Sequence, residues 1–155
     1  MKKIILASGQ TLIEIVVALG IAIIIISAVV GVVLSALKGA EISRTQNQAA
    51  HLAQQGIEVV RQLRNTDYAG FQTKDGVYCL DKDSTVLRSD CSLTTPNVDS
   101  YVRSVSVTQT STCASGTASI SATVAWTDGN CVNSTYCHTV NLITCLENIQ
   151  PIASP

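Results

Sequence analysis

The chain has 155 residues, a formal charge of −1, six cysteines and a hydrophobic share of 46%, which suits one domain of ordinary size. So even a charge gives no field strong enough to suggest nucleic acid as the main partner, and the basic residues are scattered and not clustered, so no nucleic-acid partner is expected. Two isolated histidines, with no Gly-x-Ser-x-Gly elbow, Cys-x-x-Cys pair or glycine-rich phosphate loop, leave no constellation for catalysis and no cofactor site.

The chain opens Met1-Lys2-Lys3 and meets a small polar interruption, Ser8-Gly9-Gln10-Thr11, before 23 uncharged residues from Ile15 to Leu37. At about 1.5 Å per residue, a helix of that length covers roughly 34 Å, enough to cross a bilayer core. An ordinary secretory signal is cut after a shorter apolar core of about 7 to 15 residues. Here the natural cut lies ahead of the helix. Glu14 stands at the mouth of the span, where a carboxylate placed at depth costs roughly 2.5 to 3.5 kcal/mol and calls for a partner. Hydrolysis after Gly9 would create one, because the new amine on Gln10 lies a helical turn from Glu14, on the same chain or on a neighbouring copy. The same cut removes Lys2 and Lys3 and takes the formal charge from −1 to −3.

Gly9 followed by Gln10-Thr11-Leu12-Ile13-Glu14 and a long apolar helix resembles the prepilin motif of type IV pilins and type II secretion pseudopilins. The resemblance implies that a membrane aspartyl peptidase, the prepilin peptidase, cuts after Gly9 and methylates the new N-terminus at Gln10. It implies that Glu14 registers each subunit against its neighbour in a filament. Gln10 departs from the family, which most often has phenylalanine there, and an N-terminal glutamine can cyclise to an uncharged pyroglutamate. The implied fold is α+β and pilin-like, a long N-terminal helix packed on a small disulfide-stapled antiparallel sheet. The implied partners are the peptidase, other pilin or pseudopilin subunits, an inner-membrane assembly platform and membrane lipid. Many major pilins loosen this helix with a proline; here no proline precedes Pro96, which fits a minor subunit better.

Within the span, Ser27, Gly31, Ser35 and Gly39 recur every four residues and share a face that a second helix can approach closely. Gly and Ser are also common in membrane helices generally. Beyond the span, Ile42, Ala49, Ala53, Ile57, Val60 and Leu63 recur at intervals of three, four or seven, one apolar stripe that should bury against a sheet. The expected division is a leader over 1–9, a helix over 10–66 that spans the membrane over about 15–37, and an exported head over 67–155. Ala50 to Arg61 is similar to the corresponding helix half of minor pilins called pilus modification proteins. His51, with no second ligand one turn away, reads as a solvated or packing residue.

All six cysteines lie between Cys79 and Cys145, beyond the span, and their even number favours disulfides on the oxidising side of the membrane. Val77 to Leu80 and Thr85 to Arg88 are short extended candidates bracketed by Cys79 and Cys91. Asp81, Asp83 and Ser84 offer oxygens, but the glycine and distal glutamate of a calcium loop are missing, so they read as turn residues and no metal is expected. Three alternating segments then predict antiparallel strands: Val102 to Thr108; Ala118, Ile120, Ala122, Val124 and Trp126; Tyr136, His138, Val140, Leu142 and Leu146. Asp128-Gly129 signals the last turn. Pairing Thr127 with Tyr136 sets a residue sum of 263, which puts Cys145 opposite Ala118 and near Cys113. From 15 possible connectivities this selects Cys113–Cys145, Cys131–Cys137 and Cys79–Cys91. The Val-x-Trp-x-Asp-Gly turn ending at Gly129, with the strand Thr139 to Leu142, resembles the end of the pilus modification and pseudopilin I groups. Asn133-Ser134-Thr135 fits a glycosylation acceptor but reads as loop.

Three functions follow in order. The first is a structural subunit, a minor pilin or pseudopilin built into a type IV pilus or type II secretion-like filament. The second is a binding module at the tip of such a filament, for adhesion, DNA uptake or a secreted substrate. The third is an exported domain on a plain membrane anchor, with no assembly.

Overall fold

The computed structural model describes residues 10–90, 92–109, 113, 117–128, 131–132 and 135–147. Two helices precede four strands: α1 Gln10–Thr66, α2 Tyr68–Gln72, β1 Gly76–Cys79, β2 Val102–Thr108, β3 Thr117–Trp126 and β4 His138–Glu147. The chain divides into two compact units at Arg44 and Thr45, inside α1. Gly9, Cys91, Gly129, Asn133 and Ser134 lie outside the described residues.

Within α1 no proline or β-turn signal interrupts the pattern until Asn65-Thr66-Asp67. Asp67 ends it and starts the next helix: its N–H still donates to Leu63 O at 2.7 Å, while its carboxylate caps α2 by accepting from the Gly70 N–H at 2.9 Å. Glycine at position 70 leaves room for this cap, since a Cβ there would displace the Asp67 carboxylate.

The sheet is an antiparallel meander, β1-β2-β3-β4. β3 alternates without a break: Ala118, Ile120, Ala122, Val124 and Trp126 are buried and the residues between them are not. Against that face lie Ala49, Ala53, Ile57 and Val60 of α1, with Phe71, Tyr78, Tyr101, Val105, Val107 and Leu146 completing the core. The apolar stripe is therefore covered from Ala49 onward. Ile42, expected on the same stripe, is 48% exposed and belongs to the other unit.

Two expectations are corrected. β3 and β4 pair with Ala118 opposite Leu146 and Ser119 opposite Cys145, a residue sum of 264 and not 263. The reason is parity: the even-numbered residues of both strands carry the apolar pattern, and only an even sum lets partners share a face. A turn centred on Thr127 and Tyr136 would have turned every apolar side chain of β4 away from the core. The strand instead begins at His138, and Tyr136 sits in the preceding loop with its hydroxyl donating to Thr94 O at 3.0 Å. Thr85 to Arg88 does not form a strand. Arg88 alone makes a bridge, to Cys79, because Ser84 Oγ draws the Val86 N–H into a local turn at 3.1 Å.

Cys113 is joined to Cys145 and Cys131 to Cys137, with Cα separations of 6.1 and 5.4 Å. Cys79 is also disulfide-bonded.

Where α1 crosses the sheet, a Cβ on Gly56 would stand 3.1 Å from Val105 Cγ2 and 3.6 Å from Ala122 Cβ. Gly56→Val should thus destabilise the head by about 1 to 3 kcal/mol through overpacking, despite valine's better helix propensity. The check is the thermal midpoint of the detergent-solubilised chain, followed by near-ultraviolet dichroism; an unchanged midpoint would refute the tight crossing.

Candidate functional site

Every described residue from Thr11 to Arg44 is exposed, although most are apolar. This part of α1 is long and apolar enough to cross a membrane, and none of its apolar window is buried inside the chain. Glu14 lies four residues into the helix, just before the uncharged run. Of the small residues, Ser27 turns its hydroxyl inward to donate to Ile23 O at 2.8 Å, and a Cβ built on Gly31 or Gly39 would meet nothing within 4 Å. No contact made by the chain itself accounts for glycine at these positions.

The candidates beyond the apolar run fall out differently. His51 is exposed on α1. Asp81, Asp83 and Ser84 form a turn in which the Ser84 N–H donates to Asp81 O at 3.2 Å and Asp83 takes a positive φ of 56°. The Asp81 carboxylate is engaged by Arg88 at 2.8 Å. The same connection carries Lys82 paired with Asp99 at 2.9 Å and Arg88 paired with Asp90 at 3.2 Å. Hydrogen bonding to Asp99 raises the Lys82 ammonium above its ordinary value, and Asp81 and Asp90 do the same for the Arg88 guanidinium. These pairs are exposed, and such pairs contribute little to stability.

One charged residue that the alternation alone did not single out is Arg103, an inward position of β2 only 3% exposed. Its guanidinium donates to Leu80 O at 3.0 Å, Asp81 O at 2.8 Å and Gln55 Oε1 at 3.3 Å. Burial pushes its pKa down, opposed by the Asp83 and Asp81 carboxylates. Its backbone is gripped by Asn97, whose Oδ1 accepts from the Arg103 N–H at 2.7 Å and whose Nδ2 donates to Arg103 O at 2.8 Å. Arg103 thus anchors the β1–β2 connection to the sheet and to α1. The signal in the sequence is its parity with Val105 and Val107.

At the other end of β3, Trp126 touches two rings: His138, stacked on it with centroids 5.4 Å apart, and Tyr101, tilted by 54° at 5.9 Å. His138 Nε2 lies 3.1 Å from Asp128 Oδ2. Among the described residues, Asp128, Cys131 and Cys137 form the one group whose potential ligand atoms converge, and the two cysteines are bonded to each other.

Comparison with protein-family models, with curated proteins and with solved structures finds no match to this chain.

The Arg88 guanidinium, followed by a backbone hydrogen bond, holds the Asp90 carboxyl below its ordinary value. A lowered carboxylate favours the folded state above its unfolded pKa and loses that contribution as pH falls through the folded value. Carboxyl-carbon NMR titration should show Asp90 titrating low in the native chain and moving up in Arg88→Ala; no upward movement would mean that the pair does not persist in solution.

Proposed function

We propose that this chain is a pilin-like structural subunit, of the minor pilin or pseudopilin kind, cut after Gly9 by a prepilin peptidase and assembled through α1 into a type IV pilus or type II secretion-like filament. The observation that carries this reading is an exposed helix, uncharged from Ile15 to Leu37, headed by a single carboxylate at Glu14. Such a surface requires cover from lipid before assembly and from other helices afterwards. On this reading the chain is a single-pass protein of the cytoplasmic membrane whose disulfide-stapled head is exported, and the bundle of α1 helices forms the filament's core.

Lipid tails are as apolar as the side chains that replace them, so transfer into a filament gains little from the hydrophobic effect. Close packing and polar pairing must then select the arrangement. The face of Ser27, Gly31 and Ser35 allows close packing. The Glu14 carboxylate and the amine created on Gln10 allow pairing between neighbours, where removal of one partner leaves the other uncompensated in a dry environment.

Glu14→Ala should leave membrane insertion normal and abolish incorporation into sheared filaments. Unchanged incorporation would overturn the reading, and lost insertion would show that Glu14 acts before assembly. Intact mass of the mature chain should correspond to a start at Gln10 carrying one added methyl group. A mass lower by one ammonia would instead identify pyroglutamate, which removes the amine on which the pairing depends.

A further inference from the structure

We propose that the Cys131–Cys137 disulfide masks a metal site, and that a dithiol reductant opens it into a four-ligand Zn2+ site made of Cys131, Cys137, Asp128 and His138. This rests on the placement of those four residues alone and is independent of the filament reading.

Three of the four donors are already gathered. The ligand atoms of Asp128, Cys131 and Cys137 all lie within 4.8 Å of one another, and Asp128 Oδ1 is 4.0 Å from Cys137 Sγ. The fourth donor, His138 Nε2, is 3.1 Å from Asp128 Oδ2 but stands outside that 4.8 Å group, so it has to close on the sulfurs as they part. A tetrahedral Zn2+ with bonds of about 2.3 Å to sulfur and about 2.0 Å to nitrogen or oxygen needs separations of roughly 3.3 Å between nitrogen and oxygen and roughly 3.8 Å between sulfurs. The first is in place. The second requires the sulfurs to part, which breaking their bond brings about. Two thiolates with an imidazole and one carboxylate suit Zn2+ or Co2+ and not the oxygen-seeking Ca2+ or Mg2+. The imidazole is held by stacking on Trp126, its partner on the last rung of the β3–β4 ladder, at an interplanar angle of 22°. That fixed orientation is what a metal-bound histidine needs.

Reduction has a defined course. Cys137 is exposed and Cys131 half-buried, so a thiolate of the dithiol attacks Cys137 Sγ and the Cys131 sulfur departs. Thr127 Oγ1, 3.2 Å from Cys131 Sγ, can donate to the departing thiolate. The reagent's second thiol then attacks the mixed disulfide. The reagent leaves as a cyclic disulfide, two electrons and two protons having passed to the two cysteines. Zn2+ displaces those two protons when it binds. The disulfide and the metal are mutually exclusive occupants. Among the described residues, Cys113–Cys145 has no comparable group of ligands around it.

Trp126, the chain's one tryptophan, supplies the readout because it touches His138. The full chain in detergent micelles is treated with a dithiol, freed of it anaerobically and titrated with Co2+, and alkylation with mass mapping records which cysteines have opened. Expected are one equivalent of Co2+ bound, a thiolate-to-cobalt absorption band and quenching of Trp126, both reversed by Zn2+. The untreated chain and C131S/C137S should show neither signal. His138→Gln and Asp128→Asn should each keep the thiolate band but bind at least about tenfold more weakly. The proposal is overturned by an equal response in the untreated chain or in C131S/C137S. It is equally overturned by binding that ignores both His138→Gln and Asp128→Asn, or by a reduced chain that binds nothing while Cys131 and Cys137 are open, whether or not the head stays folded.

Discussion

The crossing of α1 over the sheet is built from side chains that are nearly absent. Ala49 and Ala53 on the helix and Ala118 and Ala122 on β3 belong to one core, and Gly56 comes against Val105 of β2 and Ala122 of β3. Dispersion fades over a gap of half an ångström, so small residues on both surfaces stabilise the pair by letting the backbones approach, and larger side chains can pack only beside the crossing. Ile57, Val60, Phe71 and Ile120 supply the larger side chains of the same core. With the helix this close, the Tyr101 hydroxyl reaches Thr45 O at 3.3 Å and Arg103 reaches Gln55, so polar ties form at the margins of an apolar seam.

Those ties matter because β1 is four residues long and the chain from Leu80 to Val98 has almost no ladder of its own. Its carbonyls would otherwise point at the core's edge without donors. Arg103 answers this with the fork of a guanidinium, which serves Leu80 O and Asp81 O at once. Asn97 continues the edge of β2 where β1 stops, mimicking a backbone strand with its amide. A hydrophobic residue at position 103 would pack as well but would leave those oxygens unpaired, which is the more expensive error. A buried charge is here the means by which an irregular connection is attached to a regular sheet.

What the sequence disclosed about this fold follows from periodicity. The 3.6-residue pattern from Ala49 to Leu63 and the two-residue pattern of β3 each identify one buried face, and both are read without knowing what covers them. The turn signal at Asp128-Gly129 misled by one residue because an 11-residue loop, 127–137, does not fix the register that a two-residue turn would. The alternation of β4 already demanded the even sum, and the buried face outweighs the turn. Arg103 and Asn97 were not legible in the same way, since their roles depend on where β1 ends. Nor was the ring stack: Trp126 and His138 become partners only once the register is known. Over residues 11–44 every described side chain is exposed, so packing adds little there to what the sequence already shows.

α1 thus contains two solutions to one problem. From Thr45 onward the helix is amphipathic, and its apolar stripe is satisfied by the sheet that the same chain provides. From Ile15 to Leu37 it is apolar on every side, so no single sheet could cover it, and folding of the chain alone leaves all of it exposed. Cover from outside is a requirement there. Lipid meets that requirement without choosing a register, since a bilayer presents the same surface to every face of the helix. A choice demands features that lipid does not reward: glycines at 31 and 39 with open space where a side chain would be, and a carboxylate at position 14 whose cost falls only when a cation is brought to it. On the filament reading proposed above, both costs, helix propensity for the first and solvation for the second, are offset when α1 packs against another helix.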